Sequence, residues 1–188
     1  MQTALLLIDV QQSFMHRPYW GTDDVPAFLA HSNALVAGCA ARGVPVVRIF
    51  HREGPASRDN PFATEGGLIR PLDGLAPFDA KATFDKQRHS ALVGTGLPVW
   101  LRQHGIRRLI IAGIRTEQCC ETTARHASDE GFEVDFVSDA TLSFDMPLAG
   151  GGVLRTAQIR ERTAAVLAGR FATITGVESA LERAASSP

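Results

Sequence analysis

Short runs of leucine, isoleucine and valine alternate along this chain with longer amphipathic stretches, and that alternation restricts the fold more than any other feature. Two parallel strands cannot be joined by a tight turn, so the chain between them must cross back over the sheet, usually as a helix. Strands covered by helices on both faces then read as continuous apolar runs. The pattern predicts strands at Thr3–Asp9 ("TALLLID"), Val44–Phe50, Ala82–Lys86, Arg107–Gly113, Phe132–Ser138 and Phe171–Gly176. It predicts helices at Asp23–Gly43, Leu97–Gly105, Val153–Gly169 and Val177–Ala185, and one more directly after Gly113. In the first of these Asp24 is the expected N-cap, Pro26 lies in the opening turn and Gly43 is the stop. The expected fold is a single α/β domain over residues 1–188, a three-layer α/β/α arrangement around a Rossmann-like, six-stranded, mostly parallel sheet. Residues 51–80 are rich in Gly, Pro, Asp and Arg without clear periodicity, and a segment of that length reads as a functional rim or lid.

The totals narrow the partners. Of the 188 residues, 45% are hydrophobic and 21% charged, as in soluble globular proteins, and the net charge of -1 supplies no field to gather nucleic acid or anionic lipid. A small-molecule substrate is the expected partner, with neither nucleic acid nor membrane. The apolar run at the N-terminus breaks at Asp9 and has no basic residue before it, so it reads neither as a signal peptide nor as a membrane span. Three cysteines, two of them adjacent, do not make a disulfide framework, and a reducing, cytoplasmic setting is expected.

Those adjacent cysteines stand in "GIRTEQCCETTARHA", Gly113–Ala127, at the start of the helix after the fourth strand. With Thr116 as N-cap, Cys119 falls near the third helical position, where the helix dipole and free N–H groups favour a thiolate. Cys120, Ala124 and Ala127 share a face and form a small-residue stripe suited to packing on a sheet, which marks Cys120 as core. Both cysteines could equally be small buried hydrophobes. In an open α/β sheet, however, ligands bind beyond the carboxyl ends of the strands, near the point where the winding reverses. Asp9 ends the first strand, Lys86 ends the third and Cys119 follows the fourth, so a carboxylate, an amine and a thiol all reach that edge.

At these positions the chain resembles the isochorismatase-like cysteine hydrolases, the superfamily that also holds nicotinamidases and N-carbamoylsarcosine amidohydrolases. "LLLIDVQQSF" looks like the family's opening strand with its aspartate and following Gln-x-x-Phe, here Asp9, Gln11 and Phe14. "KQRHSALVGTGL" is similar to the lysine segment, with Lys86 four residues before the Ser90-Ala91 pair, and "IIAGIRTEQCCETTARHA" resembles the nucleophile segment. The resemblance covers nearly the whole chain. It implies a doubly wound α/β/α fold, a catalytic triad of Asp9, Lys86 and Cys119, and a cis peptide between Arg115 and Thr116 beside an oxyanion hole. It also implies hydrolysis of an amide or related C–N bond through a thioester, and a homo-oligomer, dimeric or larger.

Departures from the pattern bear on substrate and cofactor. The Asp-x-His metal motif of nicotinamidases is missing after the second strand, where the chain reads "IFHREGPASRDN", so no metal and no other cofactor are expected. His51 and Glu53 resemble the His-x-Glu of zinc deaminases, but the Pro-Cys-x-x-Cys those enzymes need is absent. Vinyl ether hydrolysis of the isochorismatase type is the alternative within the family, and Cys119 argues against it, because true isochorismatases lack the cysteine. Candidate substrate-binding residues are Phe14, Tyr19 and Trp20 after the first strand, His51, Gln118 and Phe144, with Arg115 able to pair a substrate carboxylate. The aromatic residues could equally serve a subunit contact. A silent small-molecule binding protein or a redox-sensing thiol protein on the same sheet are competitors from other classes. Dinucleotide binding is disfavoured because no Gly-x-Gly-x-x-Gly follows the first strand.

Overall fold

The computed structural model describes residues 2–55, 57 and 59–185. Its central sheet contains β1 (Gln2–Ile8), β2 (Val46–His51), β3 (Ala82–Lys86), β4 (Ile106–Ile114), β5 (Glu133–Leu142) and β8 (Thr173–Thr175), in the spatial order β3-β2-β1-β4-β5-β8. Every neighbouring pair is parallel. The chain winds outward from β1 to β2 and β3, returns to β4 on the other side of β1, and winds outward again. The winding therefore reverses between β1 and β4, which puts the ligand edge above those two strands.

Period-two alternation within β1 explains why a strand this apolar is still specific. Leu5 and Leu7 enter one core with Phe28, Leu35 and Val36 of α1 (Val25–Ala41) and Ala180 and Leu181 of α5 (Val177–Ala185). Ala4, Leu6 and Ile8 enter the opposite core, which holds Leu97 and Leu101 of α2 (Leu97–Gln103), Ala124 and Ala127 of α3 (Glu121–Asp129) and Leu167 of α4 (Thr156–Leu167). Both faces of the strand are dry, so no polar position is left to break the run. Among the described residues no helix is long and apolar enough to cross a membrane.

Three local expectations are corrected. The helix expected from Val153 starts at Thr156, because the Gly150–Gly152 turn instead folds Val153–Leu154 (β7) back on Met146–Pro147 (β6) as an antiparallel pair. Asp145 then accepts the Thr156 N–H at 2.9 Å and caps the helix from outside it. Asp24 precedes α1 as expected but makes no side-chain cap; its carboxylate pairs with Arg160 at 2.7 Å. The cysteine segment opens not on a capped α-helix but on a π-helical turn, Thr116–Cys120, in which the Cys120 N–H reaches back to the Arg115 carbonyl. The Thr116 hydroxyl donates to Thr141 Oγ1 at 2.9 Å instead of capping.

The irregular segment after β2 is pinned across the ligand edge. The Gln12 N–H donates to the Arg70 carbonyl, the Leu72 N–H to the Val10 carbonyl, and the Ser13 hydroxyl to the Leu68 carbonyl. Residues 56 and 58 of the expected rim lie outside the described residues.

In the register of β1 with β4, Ile8 faces Gly113. Gly113 has φ +133, and a Cβ there would fall 1.9 Å from the Ile8 carbonyl oxygen. Gly113→Ala is therefore expected to cost at least about 2 kcal/mol, a drop of roughly 5 °C or more in Tm. An unchanged thermal melt would show that the two strands can separate freely at this point.

Candidate active site

Three strand ends meet at one ammonium. Asp9 follows β1 directly, in the left-handed region at φ 53, and is fully buried. Lys86 is the last residue of β3, which is not adjacent to β1, so its side chain must cross the end of β2 to reach Asp9. It does so with its Nζ 2.7 Å from Asp9 Oδ2, and neither side chain is exposed at all. Cys119, in the π turn after β4, brings its Sγ to 3.2 Å from the same Nζ. Asp9 Oδ1 receives no N–H or O–H donor among the described residues, which leaves that oxygen open to take a proton from the thiol.

The electrostatics set the state of the sulfur. Burial and then the Asp9 charge push the Cys119 thiol up to about 12, although Lys86 pulls the other way. The thiolate favoured by the helix start is thus overturned: burial, aided by the Asp9 carboxylate, outweighs the dipole and keeps the sulfur a thiol at neutral pH. Burial works against the charge on Lys86, but Asp9 and Cys119 together outweigh it and hold the ammonium above its usual range. Cys120 faces the core with no exposure, and burial drives its thiol well above the ordinary range. Of the two neighbours only Cys119 touches the other polar groups.

The remaining sequence-nominated residues fall into distinct places. The cis peptide lies one bond earlier than the resemblance implied, between Ile114 and Arg115, at the junction where β4 ends and the π turn begins. Arg115 is not a free cation: it pairs with Glu117 at 2.7 Å, and its guanidinium lies 4.6 Å from the Tyr19 ring centroid. Glu117 also accepts the Ser143 hydroxyl at 2.6 Å. Tyr19 and Trp20 both contact Phe144, at 5.4 and 5.1 Å between centroids, so these three form one aromatic wall beside the cysteine turn. Phe14 stands apart from that wall, buried edge-to-face against Phe62 at 4.9 Å, because it lies in the core beneath the rim. Gln118 sits in the π turn, half-buried, with its N–H on the Arg115 carbonyl.

His51 reaches the triad itself. Its Nδ1 lies 3.0 Å from Lys86 Nζ and its Nε2 lies 3.1 Å from Glu53 Oε1. Gln11 clamps its backbone, accepting the His51 N–H at 2.7 Å and donating to the His51 carbonyl at 3.0 Å. His89, which the sequence reading passed over, approaches Cys119 Sγ to 4.0 Å through Nδ1. Glu53, Glu117 and His89 give no periodic signal; the one clue to the first was its spacing from His51. Among the described residues no group of three or more His, Cys, Asp or Glu is placed to hold a metal ion.

Two cavities are bordered by residues of the rim and of the aromatic wall. An open cleft of about 880 Å³ is bordered by His16, Arg17, Asn60 and Leu68, and a smaller pocket of about 310 Å³ by Tyr19, Ser143 and Phe144. The triad side chains line neither, and Cys119 keeps 5% of its surface exposed.

Known proteins share this arrangement of elements. An isochorismatase domain matches residues 3–178. The isochorismatase family protein YrdC of Bacillus subtilis is 29% identical over 172 residues, 91% of this chain and 90% of its own. Ureidoacrylate amidohydrolase RutB of Pantoea ananatis is 27% identical over 179 residues, 74% of this chain and 69% of its own. The solved structure of a hydrolase of the isochorismatase family from Chromobacterium violaceum superposes with a TM-score of 0.87 at 28% identity, covering 99% of this chain and 95% of that one. A six-stranded parallel sheet with helices on both faces agrees with these matches over nearly the whole length, and the chain belongs to the isochorismatase family of hydrolases.

Proposed function

We propose that the protein is a cysteine-dependent hydrolase that cuts an amide or related C–N bond of a small molecule through a thioester. The observation that carries this reading is the convergence of Asp9 Oδ2 and Cys119 Sγ on one buried ammonium, at 2.7 and 3.2 Å. The amidohydrolase named among its relatives supports the bond type.

The chemistry follows from the charges. Asp9 takes the thiol proton as Sγ attacks the carbonyl carbon; the C–S bond forms while the carbonyl π pair moves to oxygen. Backbone N–H groups of the Thr116–Cys119 turn other than that of Gln118, which is held by the Arg115 carbonyl, receive that oxyanion, and one such donor is typically worth about 10²–10³ in turnover. As the intermediate collapses, the C–N bond breaks and the amine leaves with the proton Asp9 had taken. Water then attacks the thioester and gives its proton to Asp9; the C–S bond breaks, and the sulfur recovers its proton as the acid departs. Lys86 remains an ammonium throughout. With so little of Cys119 exposed, the substrate reaches Sγ only when the bordering wall of Tyr19, Arg115 and Phe144 or the rim around Glu53 gives way. The three free cysteines fit a reducing cytoplasmic setting.

Substitution separates the roles. Cys119→Ala should abolish ammonia release from a panel of primary amides, carbamoyl compounds and ureas, and Asp9→Asn should lower kcat by about 10²–10⁴. Cys120→Ala should stay within a few fold of wild type. An electrophilic amide should label Cys119, as peptide mapping would show; a label at Cys120 overturns the assignment.

The pH dependence has a definite sign. A thiol held near 12 is protonated at neutral pH, so its thiolate fraction grows by about tenfold for each unit of rising pH below that value. Without substrate, alkylation of Cys119 by iodoacetamide should climb steadily from pH 7 to 10. A plateau below pH 8 would mean that the thiolate is already formed at rest.

A further inference from the structure

We infer that His51 is a positioning residue, whose neutral ring fixes the rotation of the Lys86 ammonium and thereby aims its protons at Asp9 and Cys119. The inference rests on the reading of Cys119 as the nucleophile. It assigns His51 a role other than contact with substrate.

An ammonium has three N–H donors and no acceptor. Lys86 Nζ has three acceptors in range: Asp9 Oδ2 at 2.7 Å, His51 Nδ1 at 3.0 Å and Cys119 Sγ at 3.2 Å. The ammonium thus has as many acceptors as protons, one of them held chiefly by charge, and its rotation is set by all three together. Removing any acceptor leaves a buried N–H unpaired and frees the rotor, since the Lys86 side chain has no exposed surface. Asp9 and Cys119 change protonation during the proposed reaction. His51 is the acceptor that does not need to.

For that role Nδ1 must offer its lone pair, which puts the ring proton on Nε2, facing Glu53 Oε1 at 3.1 Å. Arg17 pairs with the other oxygen of Glu53 at 3.3 Å. Burial and the neighbouring ammonium hold His51 below the usual imidazole range, against Asp9 and Glu53, so the ring stays neutral. Its place is set by three independent features. Parallel register puts His51 beside Lys86 on β2 and β3, Gln11 holds its main chain on both sides, and the Phe62 ring packs edge-on at 5.6 Å. A side chain serving only to meet substrate would not need both ring nitrogens engaged with protein.

Two measurements that use no substrate test this. In protein carrying 15N-histidine, His51 should show the neutral tautomer protonated on Nε2, with Nδ1 in the acceptor range; a proton on Nδ1 at neutral pH overturns the inference. At pH 9, iodoacetamide should alkylate Cys119 at least fivefold more slowly in His51→Leu, which fills the space and accepts nothing. In His51→Asn the amide oxygen can take the place of Nδ1, and the rate should stay within twofold of wild type. Equal rates in wild type and His51→Leu overturn the inference and return His51 to the substrate wall or to packing. The tautomer reads out on wild-type protein even if His51→Leu does not fold. Failure of wild type to hydrolyse any amide would count against the proposed reaction alone, because neither measurement depends on turnover.

Discussion

A lysine ammonium without access to water is the interaction on which the rest of this molecule depends. Removing such a charge from solvent costs several kcal/mol even after relaxation, and the cost is met only if opposite charge and well-placed acceptors surround it. Lys86 finds them at the ends of three different segments, on Asp9, His51 and Cys119. Each lies at a fixed height on its own strand or turn. A shift of one residue in the register of β1, β2 or β3 would turn an acceptor away and leave the ammonium stranded. The site thus acts as a check on the fold, and the fold cannot slip without breaking the site.

The sheet meets this demand through its order. Because the winding reverses at β1, the chain leaving β4 returns beside β1 instead of being carried outward, and the cysteine turn arrives next to Asp9. The approach is tight enough that only glycine fits at 113, opposite Ile8. The two cores above and below serve the same end. Leu5 and Leu7 anchor β1 to α1 and α5, while Ala4, Leu6 and Ile8 anchor it to α2, α3 and α4, so the residue that follows Ile8 has little room to move.

The parts of this arrangement that were legible in the sequence are those with a one-dimensional signature. Apolar runs such as "TALLLID" and "RRLIIAG" marked buried strands because both their faces are dry, and Asp9, Lys86 and Cys119 showed themselves as polar groups at strand ends. What stayed hidden depends on distances across the chain. The state of Cys119 could not be read from its helix position, because its burial, and then a carboxylate more than a hundred residues away, decide it. Arg115 read as a free cation until the structure supplied Glu117, two residues on but brought round by the π turn. Phe14 seemed to belong with Tyr19 and Trp20 by proximity in sequence, yet the bend after it sends the aromatic pair to Phe144 and leaves Phe14 with Phe62. His51 was visible as a residue but not as a partner of Lys86, since that follows from the pairing of β2 with β3.

The resting thiol makes sense once the charge is followed through the first step of the proposed reaction. Before attack the site holds one anion on Asp9, one cation on Lys86 and a neutral sulfur. After the proton moves it holds one anion on the sulfur, the same cation and a neutral acid. Net charge does not change, and the anion travels between two points at 2.7 and 3.2 Å from the same nitrogen. At an effective dielectric of about 20, those two distances differ by about 1 kcal/mol in Coulomb attraction to the ammonium. Lys86 therefore has almost no reorganisation to undergo, and the high affinity of the sulfur for its proton is offset by a base already in place. A site that kept a thiolate at rest would carry two adjacent anions, on Asp9 and Cys119, against one cation. In the proposed reaction the negative charge instead stays on oxygen until a carbonyl carbon is present to draw it onto sulfur.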